Sequence, residues 1–113
     1  MRKLLSLSTV VIAVIFFPLS AKAELNRICT RQPGATVTLR KAPGSKYPKG
    51  LVQVGSGGQK VENYFRQRNY TLPDGEEVSS FTSRRSRDGY SWSLVGTNQW
   101  QAWVRSDFVC RRS

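Results

Sequence analysis

The chain has 113 residues, of which 18 are Lys or Arg and 7 are Asp or Glu, so its formal net charge at pH 7 is +11. It contains no His, which excludes Ser–His and Cys–His nucleophilic pairs and metal sites with imidazole ligands. The remaining candidates for chemistry are two Cys residues and seven carboxylates scattered along the chain. We therefore predict a protein that is not an enzyme and that carries no metal or cofactor.

Residues 1–23 have the three parts of a cleavable secretion signal. Arg2 and Lys3 form a positive start, Leu4–Leu19 is mostly apolar, and Ala21–Ala23 supplies small residues at the cleavage positions. A membrane anchor is the alternative, but a spanning helix needs about 20 apolar residues. This run has 16 residues, includes polar ones and meets Pro18. We therefore predict cleavage, a secreted or periplasmic location, and no stable membrane insertion of the mature protein.

The mature chain, residues 24–113, is predicted to form one small domain with a Cys residue near each end. A domain of this size buries only about 60–65% of its unfolded surface, so its stability is marginal without a cross-link. Cys29 and Cys110 are the only cysteines, and export leads to an oxidising compartment. A zinc site is the alternative, but two thiols without His make a poor one. We predict a disulfide between Cys29 and Cys110.

The predicted elements of this domain are short strands separated by turns that contain Gly and Pro, and no segment shows a helical stripe. The β-prone runs are Thr36–Leu39, Leu51–Val54, Lys60–Phe65, Glu77–Phe81, Tyr90–Val95, Trp100–Val104 and Asp107–Cys110. Strands at this spacing predict an all-β domain, and a small barrel is the most economical form because closure removes exposed edges. We interpret Arg66–Gly75 as a long polar excursion between strands.

The mature chain is basic and carries one tight cluster of arginines. It retains 15 basic and 7 acidic residues, a net charge of +8. This sign favours anionic polymers or surfaces, which outside a cell include wall teichoic acids, acidic polysaccharide and lipid headgroups, and we expect no nucleic-acid partner. Arg84, Arg85 and Arg87 precede an Asp-Gly turn and predict a local anion site. The alternative for the net charge is that it only keeps the protein soluble. The alternative for the arginine cluster is a solvated hairpin tip with no ligand.

Aromatic side chains supply further candidate binding surface, although some must belong to the core. Trp and Tyr dominate binding surfaces because they present large, stiff, amphipathic area. Alternation along the strands places Tyr90 on the same face as Trp92. It places Trp103 on the opposite face from Trp100, so we expect one of those two to be exposed or in a groove.

Four segments, in order, resemble the motifs of bacterial SH3 (SH3b) domains. They are a strand end leading into a Pro-Gly loop and a Tyr (Leu39–Pro48), a Gly-x-x-Val strand start (Gly58–Val61), a D-G-x-x-W-x-x-V strand (Asp88–Val95) and a terminal G-W-V segment with Ala in place of Gly (Ala102–Val109). The resemblance spans residues 36–109. It implies an SH3-like barrel of five to six strands.

The resemblance also implies a function. Members of the family accompany cell-wall enzymes or stand alone in exported proteins, and several bind peptidoglycan or short peptides in a groove. In this chain the implied groove is lined by Tyr47, by Tyr90 or Trp92, and by Trp100. We therefore expect an exported, non-catalytic module that binds peptidoglycan or an associated anionic glycan through these aromatics and the arginine cluster. A module that binds an exported enzyme or receptor is the alternative.

Overall fold

The computed structural model describes residues 24–111, which contain eight strands, one α-helix and one 3₁₀ helix. The predicted signal, residues 1–23, lies outside the described residues. The strands are β1 (Glu24–Ile28), β2 (Thr36–Thr38), β3 (Gln53–Val54), β4 (Thr71–Pro73), β5 (Glu77–Arg85), β6 (Ser91–Gly96), β7 (Trp100–Arg105) and β8 (Val109–Arg111). The helices are α1 (Gly58–Gln67) and the 3₁₀ helix η1 (Ser106–Phe108).

Two antiparallel sheets organise these strands. Six strands form one sheet in the order β3-β7-β6-β5-β1-β8, and β2 pairs with β4 in a second sheet. Neither sheet of the described residues closes on itself. The prediction of a small, mostly β domain is therefore confirmed, whereas the barrel is not.

The hydrophobic core draws on both sheets and on α1. Strand alternation sends one side chain in two toward the core, and in β7 these are Trp100, Ala102 and Val104. Val95 of β6 lies opposite Ala102 and is fully buried. The remaining core side chains come from the other elements and two loop positions: Ile28, Val37, Leu39, Leu51, Phe65, Leu72 and Val78.

The prediction of a strand at Lys60–Phe65 is wrong, because this run lies inside α1. Val61 and Phe65 stand four residues apart, so a helix places them on one face, and both pack against the core. The Phe65 ring meets Trp100 edge-on, with ring centroids 4.8 Å apart. The Gly58–Val61 segment, which resembles a strand start, forms the first turn of this helix.

The interpretation of Arg66–Gly75 as a polar excursion is also wrong. The segment begins with the last two residues of α1 and then forms β4, whose Leu72 is buried and paired with Val37 of β2. The chain turns at Asp74 and Gly75 before β5. Pairing with β2 therefore gives this segment ladder hydrogen bonds that its own sequence does not predict.

The predicted disulfide between Cys29 and Cys110 is confirmed. Their Cα atoms lie 5.9 Å apart across a sequence separation of 81 residues. The bridge reinforces the pairing of β1 with β8, in which Ile28 lies opposite Val109. In the chain-entropy model a loop of this length contributes at most about 4.5 kcal/mol to folding.

Neither Trp100 nor Trp103 is exposed, so that half of the expectation is wrong, whereas Trp100 does line a cleft beside α1. Trp100 is 7% exposed and Trp103 is 8% exposed. Every residue of β7 except Arg105 is buried, which means that both faces of this strand are covered. β7 is an inner strand between β3 and β6, and Arg40 adds two backbone hydrogen bonds to Trp103. A period-two pattern reports which face a side chain occupies, not whether that face is covered.

Candidate anion-binding site

The arginine cluster lies at the tip of the hairpin that joins β5 to β6. Arg84 pairs with Trp92 and Arg85 with Ser91 at the end of the ladder. The Ser86 N–H donates to the Tyr90 carbonyl at 2.9 Å and closes the turn. Gly89 adopts φ +90° in this turn, a conformation that glycine tolerates and L side chains resist. The turn therefore fixes the backbone of the hairpin tip, with Arg84 and Arg85 at the end of β5 and Arg87 within the turn.

The loop Pro43–Tyr47 folds against this hairpin tip. Within the loop, the Tyr47 N–H donates to the Gly44 carbonyl at 3.2 Å. The Arg40 guanidinium donates to the Tyr47 carbonyl at 3.0 Å, and Arg40 is itself anchored on β7 through Trp103. The loop is thus attached to the six-stranded sheet at its base.

Asp88 is the side chain that connects the loop to the hairpin. Its carboxylate accepts hydrogen bonds from the Tyr90 N–H at 3.0 Å, the Ser45 N–H at 3.1 Å and the Trp92 Nε1–H at 3.3 Å. These bonds, above all the one from the Tyr90 backbone, lower the pKa of Asp88 to about 2. Asp88 is therefore ionised at neutral pH, and its carboxylate is occupied by hydrogen bonds from other groups of the protein.

Gly44 allows the two segments to approach closely. Its φ is +146°, and a Cβ atom there would lie 3.0 Å from the Tyr47 ring and 3.1 Å from the Ser86 hydroxyl. A side chain at this position would push the Tyr47 ring away from the hairpin.

Between the two segments lies a cleft of about 630 Å³, which we call the basic cleft and define as Pro43–Tyr47 together with Arg84–Asp88. It carries four cationic side chains, and Asp88 is its one carboxylate. Tyr47 is 37% exposed, and the Lys46 ammonium lies 5.4 Å from its ring centroid. The excess of positive charge beside an accessible aromatic ring suits an anionic ligand that also offers a flat or apolar face.

The arginines of the basic cleft differ in how they are held. The Arg85 guanidinium donates to the Gly89 carbonyl at 2.9 Å. Arg84 and Arg87 are exposed and, within residues 24–111, form no side-chain hydrogen bond or salt bridge. Their donors are therefore available to a ligand.

The structure brings four of the seven predicted binding residues together in the basic cleft: Tyr47, Arg84, Arg85 and Arg87. Trp92 is 3% exposed and does not line the cleft, but its Nε1–H donates a hydrogen bond to the cleft residue Asp88. Tyr90 is 44% exposed but stacks on the Arg105 guanidinium, 3.8 Å from its ring centroid. Trp100 lies in the core beside Phe65.

Six of the ten residues that define the cleft were not among the predicted binding residues: Pro43, Gly44, Ser45, Lys46, Ser86 and Asp88. Pro43, Gly44 and Ser45 lie in a predicted turn, which is a signal for a loop but not for a contact. Ser45 and Asp88 are 43 residues apart in sequence, and no local pattern encodes their hydrogen bond.

Other kinds of site are not found in the described part of the chain. Within residues 24–111 no group of three Cys, Asp or Glu side chains is placed to hold a metal ion. None of the helices in the same residues has the length and apolarity needed to cross a membrane.

Comparisons with protein-family models, with curated proteins and with solved structures each return no match to this chain.

Proposed function

We propose that this protein is an exported, non-catalytic module whose basic cleft binds an anionic polymer of the cell envelope, either peptidoglycan or an associated anionic glycan. The observation that carries the proposal is the juxtaposition of Tyr47 with the free guanidinium groups of Arg84 and Arg87 in one cleft. Arginine forks match carboxylate and phosphate oxygens, and a tyrosine ring stacks on sugar or peptide.

A binding role rather than a catalytic one is favoured by the chemistry of the chain. It has no His, and both Cys residues are joined in the disulfide. The carboxylate of the basic cleft, Asp88, accepts hydrogen bonds from four donors, which are the Tyr90 N–H, the Ser45 N–H and hydroxyl, and the Trp92 Nε1–H. Its pKa of about 2 makes it a poor general base or acid at neutral pH.

Kinship with SH3b domains and an extracytoplasmic location belong to the same proposal. Of the four segments that resemble SH3b motifs, Asp88–Val95 covers part of the β5–β6 turn and most of β6, and Ala102–Val109 covers most of β7 and all of η1. These two segments therefore fall on regular elements of the sheet. The disulfide is consistent with an oxidising compartment outside the cytoplasm. An assignment to the SH3-like barrel has to explain two observed features, which are the open six-stranded sheet and the helix α1.

The test is retention of the oxidised protein, produced from the full chain, on purified cell walls. Two preparations are compared: walls that keep their anionic polymers and the same walls after these have been stripped. The variant Arg84→Ala/Arg87→Ala removes the free guanidinium groups. The control Arg66→Ala/Arg68→Ala removes the same charge from exposed positions at the end of α1.

We expect the Arg84/Arg87 variant to bind about tenfold more weakly and the control to bind like the parent protein. Retention should fall between about 0.1 M and 1 M salt, since the screening length shrinks from about 10 Å to 3 Å. Loss of binding on stripped walls identifies the anionic polymer as the ligand, and persistence identifies peptidoglycan. Equal retention of both variants, or none of the parent, contradicts the proposal.

A second candidate is a module that binds an exported protein, and a separate apolar cleft favours it. This cleft of about 360 Å³ lies beside α1 and is lined by apolar side chains that include Val61, Leu72 and Tyr64. Tyr64 is 49% exposed. Co-purification of one defined protein that is lost in Tyr64→Ala but kept in the Arg84/Arg87 variant would select this candidate.

A further inference from the structure

A second polar cleft, of about 520 Å³, lies on the six-stranded sheet and is separate from the basic cleft. Its side chains come from β1, β5, β6 and β8 and from η1. We call it the hydroxyl cleft and define it by Asn26, Ser80, Ser83, Ser91, Ser93 and Ser106.

The serines of the hydroxyl cleft occupy positions that continue the core face of the sheet. Ser93 lies two residues before the core residue Val95 on β6, and Ser80 lies opposite Val95 on β5. Side chains two residues apart on a strand, and side chains directly opposite each other, share a face. The face that is apolar at Val95 therefore becomes hydroxyl-lined where the sheet extends past the core.

Part of this hydroxyl set is hydrogen-bonded internally. The Ser93 and Ser106 hydroxyl oxygens are 2.7 Å apart, and the Ser106 hydroxyl donates to Ser91 at 3.3 Å. Ser93 is only 8% exposed. These bonds position three hydroxyls at one side of the cleft.

Two other polar atoms of the cleft are buried and have no partner within the described residues. They are Oδ1 of Asn26, a residue that is 6% exposed, and Oγ of Ser80. Buried polar atoms in folded proteins are almost always hydrogen-bonded, so each unpartnered one calls for a specific partner. Both atoms belong to residues that line the same cleft, so a small shift of either side chain would present a ligand in the cleft with an acceptor and a hydroxyl that are free of competing bonds.

The lining selects the chemistry of that ligand. Hydroxyls both donate and accept, and none of the defining side chains is charged. Glu24 and Arg111 are exposed lining residues of opposite sign, so they give no net preference for an ion. Phe81, half-buried at the β-bulge of β5, adds an apolar face. We propose that the hydroxyl cleft binds a neutral saccharide, a function beyond the anion binding assigned to the basic cleft.

The experiment follows backbone amide shifts of the ¹⁵N-labelled, oxidised protein from the full chain during titration with chitotriose, a neutral trisaccharide with hydroxyl and acetamide groups. Maltotriose, which has hydroxyls alone, is titrated in parallel. We expect saturable shifts at Ser80, Phe81 and Ser93 with a Kd on the order of 1 mM for at least one sugar. Binding of both sugars indicates recognition through hydroxyls, and binding of chitotriose alone indicates an added acetamide contact.

A matched pair of variants separates binding from folding. Ser80→Ala removes the unpartnered hydroxyl, and Ser79→Ala removes a hydroxyl on the opposite face of the same strand. Ser80→Ala should weaken sugar binding about fivefold without lowering Tm, because no protein hydrogen bond is lost. Ser79→Ala should bind like the parent. Absence of saturable shifts with both sugars, shifts centred on Arg84–Asp88 instead, or equal binding by the two variants overturns the proposal. None of these results depends on the Arg84/Arg87 variant, so this proposal and the proposed function can fail separately.

Discussion

Asp88 determines the shape of the basic cleft at the scale of single residues. One carboxylate accepts from its own turn, from the Pro43–Tyr47 loop through Ser45 and from the indole of Trp92. Charge-assisted bonds of this kind are stronger than neutral ones. The cleft therefore depends on a residue whose charge has the same sign as that of the proposed anionic ligand.

The lowered pKa of Asp88 predicts a loss of stability in acid. A carboxyl whose pKa is lower in the folded state than in the unfolded chain stabilises the fold above its unfolded value and loses that contribution as the pH falls through its folded value. For Asp88 this window runs from about pH 4 down to about pH 2. Asp74, whose pKa is lowered by the Thr30 N–H, acts in the same direction.

The measurement is the urea midpoint of the parent protein and of Asp88→Asn across this pH range. The parent should lose stability as the pH falls from about 4 to 2, and Asp88→Asn should start lower and lose less. Parallel curves for the two proteins would show that Asp88 has no such role.

Gly44→Ala should destabilise the protein and open the basic cleft. The added Cβ meets the Tyr47 ring and the Ser86 hydroxyl at a φ that L side chains rarely adopt, so we expect a loss of about 2 kcal/mol of unfolding free energy. Gly34→Ala is the matched control, since Gly34 also has positive φ but no atom within 4 Å of where a Cβ would lie, and it should cost about 1 kcal/mol. Equal losses in urea unfolding would mean that the loop does not pack against the hairpin.

At the scale of elements, α1 owes its existence to tertiary contacts. The one buried side chain of this helix is Phe65, which packs against Trp100. A ten-residue helix is too short to be stable alone in water. The contact between Phe65 and Trp100 is therefore what fixes the segment in helical form.

Phe65→Ala should cost about 3–4 kcal/mol of unfolding free energy, because it leaves a cavity beside Trp100. Its neighbour Tyr64, 49% exposed, provides the control, and Tyr64→Ala should change stability by about 0.5 kcal/mol or less. Urea unfolding followed by tryptophan fluorescence measures both. Similar small losses for the two variants would contradict the packing described for α1.

The strands around β2, β6 and β7 could be predicted because β-branched and aromatic residues alternate there between Gly and Pro turns. The helix could not, since Val61, Tyr64 and Phe65 favour strands, and Val61 is the only apolar partner that Tyr64 and Phe65 have at helical spacing. Strand β1 was missed because Asn26 and Arg27 interrupt its apolar pattern, and its pairing comes from β5 and β8.

The candidate site was predictable only where it is local in sequence. Arg84, Arg85 and Arg87 form a cluster in the printed chain, but their proximity to Tyr47 arises from a contact across about 40 residues. Trp100 shows the opposite case, a residue that was predicted to bind and is buried instead. Its burial depends on packing against Phe65 of α1, a helix that the sequence pattern did not predict.

At the scale of the whole molecule, the disulfide joins two neighbouring strands at one edge of a sheet that does not close. It lies where β1 pairs with the edge strand β8, so it holds the last strand of the six in place. A small domain has few core residues to spare, and a cross-link over a long loop offsets that shortage.

Replacing both cysteines with Ala should lower the unfolding free energy by at most about 4.5 kcal/mol and by several kcal/mol in practice. The measurement is urea unfolding of Cys29→Ala/Cys110→Ala beside the oxidised and the thiol-reduced parent protein. The reduced parent should match the double variant. A loss below about 1 kcal/mol would indicate that pairing of β1 with β8 does not need the bridge.

The central claim is that the basic cleft binds an anionic envelope polymer, and an amide-shift titration with soluble anionic fragments of that polymer tests it most directly. Saturable shifts should centre on Ser45–Tyr47 and Arg84–Gly89 and disappear at about 1 M salt. Shifts centred elsewhere, on α1 or on the hydroxyl cleft, or shifts that persist unchanged in high salt, would contradict it.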